Sequence, residues 1–138
     1  MTYDPSNIFF RILSNEAPCV RVWETGQTLA FMDVMPQADG HVLVIPKEAA
    51  STIFDLSEEA AAACIASVQH VARAVRIALC PDGLLIAQLN GEAAGQTVGH
   101  VHFHVIPRWK GIPLRPHGKI QVAADELEAV AQRIRRAL

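Results

Sequence analysis

Cysteine is scarce. Cys19, Cys64 and Cys80 are odd in number and include no Cys-x-x-Cys spacing. That excludes a disulfide framework and fits buried free thiols in a reducing, cytoplasmic setting. No uninterrupted apolar run reaches the roughly 20 residues of a bilayer span, and the start, Met1-Thr2-Tyr3-Asp4-Pro5, is polar and without a signal-peptide pattern. No membrane association is expected. A net charge of −2 gives no footing for nucleic-acid attraction. Internal repeats and low-complexity linkers are also missing, so 1–138 reads as a single domain with room for a core.

What the chain does have is alternation. Asn7 is placed to cap a short helix over Ile8–Leu13, ended by Ser14-Asn15 and Pro18. Val20–Glu24 and Thr28–Val34 read as strands joined by Thr25-Gly26-Gln27, a hairpin. His41–Ile45 is a third strand, stopped by Pro46. Ser57-Glu58-Glu59 opens a long amphipathic helix, Ser57–Leu79, whose apolar positions recur at helical spacing. Pro81-Asp82-Gly83 breaks it. Leu84–Leu89 is a fourth strand, apolar enough to be expected in the interior. A fifth covers about Val98–Ile106. After an irregular stretch rich in proline and glycine, Ala124–Leu138 forms a terminal helix with Leu127, Val130, Ala131, Ile134 and Leu138 on one face. Consecutive strands with helices set apart predict an α+β fold: a five-stranded antiparallel sheet, one long helix, a short N-terminal helix and a C-terminal helix as an extension.

The fifth strand carries the chemistry. His100, His102 and His104 alternate with Val101, Phe103 and Val105. Period-2 geometry puts the histidines on one face and the apolar residues on the other. The outer pair are then about 13 Å apart. A helix would scatter them. Just before them, Gly91 to Gly99 combines three glycines with Gln96 and Thr97, a plausible anion cradle. An anion cradle opening onto imidazoles suggests chemistry at a phosphorus or acyl centre, with histidine as nucleophile, acid or donor. Metal binding competes with that reading, because His-x-His on a strand can bring two imidazoles to one ion; the third is too distant to join easily.

Other residues carry two readings each. His41, after Asp39-Gly40, is either a strand-end residue or an orienting partner for one of the three histidines. Asp33 either caps a turn or binds sugar hydroxyls. Asn90-Gly91 suits a hairpin turn. His70 is expected on the solvent edge of the long helix. His117 lies in the irregular segment, and neither receives a role.

Taken together, these residues are similar to the histidine triad (HIT) family. His100-Val101-His102-Phe103-His104-Val105-Ile106 resembles its signature, in which three histidines alternate with apolar residues. Ile8–Leu13, Leu29–Asp33, Gly40–Lys47 and Gly95–Val98 resemble its other blocks, in order. The resemblance implies a nucleotide hydrolase or transferase, usually a homodimer with the sheet continued across the interface. It makes His102 the nucleophile on the α-phosphorus, forming a covalent nucleotidyl-histidine that water cleaves. His104 then contacts the α-phosphate and helps the leaving group, while His100 and His41 support and orient. Gln96 and Thr97, with the adjacent backbone of Gly95 and Val98, hold phosphate; Asp33 meets ribose; Asn90 falls in the nucleotide-contact region. The substrate expected is a purine, AMP-like nucleotide carrying an amine or a second phosphate, and no cofactor is required.

Two comparisons refine this. Many bacterial members build a zinc site from Cys-x-x-Cys in the first block and a histidine after Ile-Pro-Lys. Asn7, Phe10 and Ala49 stand at those positions here, so no metal is expected. Galactose-1-phosphate uridylyltransferases end the motif in glutamine, and His104 argues against that branch. The Hint-like phosphoramidases and the Fhit-like dinucleoside polyphosphate hydrolases both remain open, as does a nucleotide-binding regulator.

Overall fold

Asn7 begins the first helix by accepting the Phe10 amide on its side chain, so α1 runs Ile8–Leu13. The computed structural model, which describes residues 2–138, continues with β1 (Arg21–Glu24), β2 (Thr28–Met32) and β3 (Val42–Pro46). Helix α2 (Glu58–Leu79) is capped by the Ser57 hydroxyl, and Cys80 closes it in the left-handed conformation. Then come β4 (Gly83–Gln88), a 3₁₀ turn at Glu92–Ala94, β5 (Phe103–Arg108) and α3 (Ala124–Arg135). The strands form one antiparallel sheet in the order β1-β2-β3-β5-β4.

The sheet has two unlike faces. Under one lie α2 and α3, closing a core of Val42, Val44, Val101, Phe103 and Val105 with Cys64, Val68, Val71 and Val75. The Thr28 and Ser67 hydroxyls, 2.7 Å apart, satisfy each other inside it. Leu127, Ala131 and Ile134 of α3 belong to the same core, so the terminal helix is part of this body rather than an appendage. On the other face Phe9 and Ile12 of α1 pack on Leu29, Phe31, Leu43 and Ile45. His100 and His102, beside Phe9, and His104, beside His102, lie on this second face. Alternation along the sheet thus separates the packed layer from the reactive one.

The differences from the expected elements are physical. Strand β2 stops at Met32, because Asp33 turns the chain: its carboxylate accepts the Met35 amide. The ladder of β5 starts at Phe103, not near Val98, because Val101 bonds to Ala50 outside the sheet. Strand β4 is apolar yet largely exposed, since it forms the sheet edge; Leu85 and Ile86 face outward. Cys64 is buried, but Cys80 is exposed and Cys19 only half-buried. His70 is half-buried at the edge of the helix: its ring lies tilted 4.3 Å from that of Trp23, and its Nε2 is buried. Helix α2 is long and apolar enough, by length and composition alone, to cross a membrane. Seven of its residues are buried, while Ile65 and Ile77 of the same helix are exposed.

Candidate active site

Gly40 sets the position of His41. Its φ of +86° is open to glycine, and a Cβ there would collide with the Leu79 side chain. His41 follows, fully buried at the start of β3. Its Nε2 lies 2.9 Å from Nδ1 of His104. His104 pairs in register with Leu43 of β3 and Ala87 of β4. The His102 ring lies 5.0 Å from that of His104 and 5.0 Å from Phe9 of α1. His100 is fully buried beneath Tyr3 and Phe9.

Backbone groups assign the protons, because a carbonyl can only accept and an amide can only donate. The Gln37 amide donates to His41 Nδ1 at 3.0 Å, so His41 carries its proton on Nε2 and donates to His104 Nδ1. His104 therefore carries its proton on Nε2, a buried atom with no partner in the protein. His102 donates Nδ1–H to the His100 carbonyl at 2.7 Å, leaving Nε2 as the lone-pair nitrogen. His100 donates Nε2–H to the Pro46 carbonyl at 2.9 Å. Its Nδ1 accepts from the Tyr3 hydroxyl at 2.6 Å, which in turn accepts from Asn7 Nδ2.

Burial keeps the rings neutral. It pushes His41 down to about 3 and His104 down to about 4, with the neighbouring imidazoles adding to the effect. His100 and His102 are also lowered, chiefly by burial, against carbonyl hydrogen bonds that favour their charged forms. Burial raises Asp33 in turn, opposed by the Met35 amide. An Asp33 oxygen lies 3.5 Å from His41 Nε2. That distance alone would suggest an ion pair, but with His41 neutral it is a contact between a carboxylate and a dipole.

A cavity of about 360 Å³ opens over these groups. Its wall is largely apolar, with Ile8, Phe9, Ile12, Pro18, Phe31 and Leu43, and its polar groups are Asp33, Thr97, His102, His104 and His117. That mixture suits a flat apolar group joined to an anion. His41 and His100 stand behind the lining side chains. Thr97 and Val98 line the cavity. Gln96 holds the loop together instead, accepting the Gly91 amide and donating to the Ser51 and Val98 carbonyls. Gly95, at φ +100°, turns the chain ahead of it. Asn90 accepts the Ile53 amide and exchanges bonds with Gln88, away from the lining. His117 is the lining residue to which sequence reasoning gave no role; its ring lies 5.8 Å from that of His104.

Asp33, His41 and His104 each offer a ligand atom within 4.8 Å of the others, a spacing that could hold a cation. The directed hydrogen bond from His41 to His104 already occupies the facing nitrogens. The zinc positions implied by the resemblance do not fit a metal. Asn7 and Phe10 replace thiolates, and the Tyr3 hydroxyl occupies the His100 nitrogen.

Residues 14–111 match the HIT domain family. The adenosine 5'-monophosphoramidase hnt1 of Schizosaccharomyces pombe is 37% identical over 134 residues, covering 90% of this chain and 97% of that protein. A crystal structure of a Hit-like protein involved in cell-cycle regulation from Bartonella henselae, with an unknown ligand, is 46% identical. It superposes with a TM-score of 0.95 over 100% of both chains. A zinc-bound histidine triad family protein from Mycobacterium smegmatis is 37% identical, with a TM-score of 0.82 over 96% of this chain and 92% of that one.

Proposed function

The chain belongs to the HIT family of nucleotide hydrolases, and from that premise we propose that it hydrolyses purine nucleoside 5'-phosphoramidates or related conjugates at the α-phosphorus. The base packs on the apolar lining of the cavity and the ribose meets Asp33. The phosphate lies between Thr97 and the imidazoles. His102 Nε2 attacks phosphorus, and the bond to the leaving group breaks. Water then cleaves the nucleotidyl-histidine.

One observation carries this reading: the His100 carbonyl accepts His102 Nδ1–H at 2.7 Å. It fixes the tautomer whose cavity-side nitrogen is a nucleophile. His104 Nε2–H, buried and unpartnered, complements it as a donor to phosphate oxygen as charge develops. The name of the Schizosaccharomyces pombe relative supports the phosphoramidate as substrate.

The test is turnover of adenosine 5'-phosphoramidate beside diadenosine tri- and tetraphosphate, in EDTA, with wild type and His102→Asn. Preference for the phosphoramidate with an inactive variant is the expected result. Preference for a dinucleotide moves the assignment to polyphosphate hydrolysis. AMP binding without turnover of any of them makes the protein a nucleotide-binding regulator. Full activity in His102→Asn removes the nucleophile.

A further inference from the structure

The tautomer chain beneath the cavity has no proton to give away. His104 Nε2–H can be offered as a hydrogen bond. Transferring it to a leaving group requires a replacement at Nδ1, which only His41 Nε2 supplies. His41 cannot be refilled in turn, because its Nδ1 faces a backbone amide whose proton stays on nitrogen. The transfer would leave a buried imidazolate 3.5 Å from Asp33, a costly arrangement. His102 is no better placed. Its Nδ1–H is tied to a carbonyl, and its Nε2 is the attacking atom.

A leaving amine nevertheless needs a proton. Outside the triad, the cavity-lining side chains with an exchangeable proton are Cys19, Asp33, Thr97 and His117. Asp33 is directed at His41 and the Met35 amide. Burial raises the Cys19 thiol, and a threonine hydroxyl does not ionise in this range. Histidine is the side chain that exchanges protons near neutrality.

His117 is also held where it is needed. The segment between β5 and α3 is pinned on both sides of it. Arg115 donates its amide to the Gln37 carbonyl at 2.8 Å and its guanidinium to Asp39 at 2.6 Å. Val122 donates to the Val34 carbonyl at 2.9 Å. Between these pins the chain crosses the cavity, bringing His117 Nε2 to 3.5 Å from Thr97 Oγ1 and the ring beside His104. In-line attack by a group on the β5 side expels the leaving group away from it, towards the segments that cover the cavity from elsewhere.

We propose that His117 is a catalytic residue that protonates the leaving group and then takes a proton from the hydrolytic water. The proposal rests on the nucleotidyl-histidine reading above. In the first step the His102 Nε2 lone pair forms the P–N bond. The bond from phosphorus to the leaving nitrogen breaks with its electron pair on that nitrogen, and the proton of protonated His117 joins it. In the second step the water oxygen bonds to phosphorus, the P–Nε2 bond returns its pair to His102, and the water proton passes to His117. Both histidines are regenerated. His117 faces His104, His102, Asp33 and Thr97 across the cavity, with His41 behind them, and Arg115 and Lys119 are its charged neighbours in the sequence.

The test compares His117→Gln with wild type on two adenosine 5'-phosphate derivatives. One releases an alkylamine, which needs a proton; the other releases 4-nitrophenolate, which does not. The variant is expected to lose about a hundredfold or more in kcat/KM, which reports release of the leaving group, on the amine, and no more than a few-fold in kcat/KM on the nitrophenyl ester, while cleavage of the shared nucleotidyl-histidine slows equally for both. Melting temperature and AMP affinity should stay unchanged. Equal losses in kcat/KM on both substrates would make His117 merely structural, and no loss in kcat/KM on the amine would remove it from leaving-group release; either overturns the proposal. Wild-type protein inactive on both substrates would instead overturn the nucleotidyl-histidine reading, and this inference with it.

Discussion

His41 and His104 share one proton across 2.9 Å, and almost no solvent reaches either ring. The pair ties β3 to β5 and points one polarised N–H into the cavity. It works only while both rings are neutral, which makes the site and the fold sensitive to acid in the same direction.

Stability should therefore fall below neutral pH. Burial depresses His41 to about 3 and His104 to about 4 in the folded protein, against about 6.5 when unfolded. Groups depressed on folding contribute fully above the unfolded value. That contribution is lost as pH drops towards the folded values, because the unfolded chain binds the extra protons. Each ring costs at most about 1.4 kcal/mol per pH unit in that window. His100 and His102, also lowered, act with the same sign. Calorimetry should show Tm falling steadily from pH 7 to pH 4.5, and less steeply in His41→Gln. A flat profile would mean that the rings take up protons without unfolding the protein.

Local patterns were legible because they are local. The Asn7 and Ser57 caps and the alternation of the triad each rest on a few adjacent residues. The failures involve partners distant in sequence. Apolar composition says that Leu85 and Ile86 need cover, but not that their own chain leaves them at a sheet edge. His41 was ambiguous because its partner is 63 residues away. His117 sits in a segment without periodicity, and its position depends on bonds to Gln37 and Val34 that no spacing reveals.

Burial of α2 has a direct consequence. Val71 is fully buried between that helix and the sheet. A carboxylate there has no partner, so Val71→Asp should destabilise by about 3 kcal/mol or more. Urea unfolding would measure it. The exposed Ile77→Asp on the same helix should shift the midpoint little. Equal effects would contradict the assignment of faces.

The uncovered edge predicts assembly. Strand β4 presents unpaired backbone on its outer side, with Leu85 39% and Ile86 43% exposed. A long apolar edge of this kind ordinarily needs cover. The expected outcome is a dimer by light scattering at micromolar concentration, and a monomer on Ile86→Glu. Wild-type protein that is monomeric there would rule out a sheet shared between two copies.

Tyr3 should hold the His100 ring in place. Its hydroxyl donates to His100 Nδ1 and accepts from Asn7, fixing the side chain of the residue whose backbone carbonyl orients His102. Removing that hydroxyl leaves a buried acceptor unpaired, a loss of about 1–3 kcal/mol. Tyr3→Phe should lower Tm and reduce kcat more than it raises KM, because it disturbs the orientation of the nucleophile and not the nucleotide cavity. EDTA should leave wild-type turnover and Tm unchanged, since Asn7, Phe10 and Ala49 supply no ligand set. A fall in Tm on chelation, restored by zinc, would show that an ion and not the tyrosine holds His100.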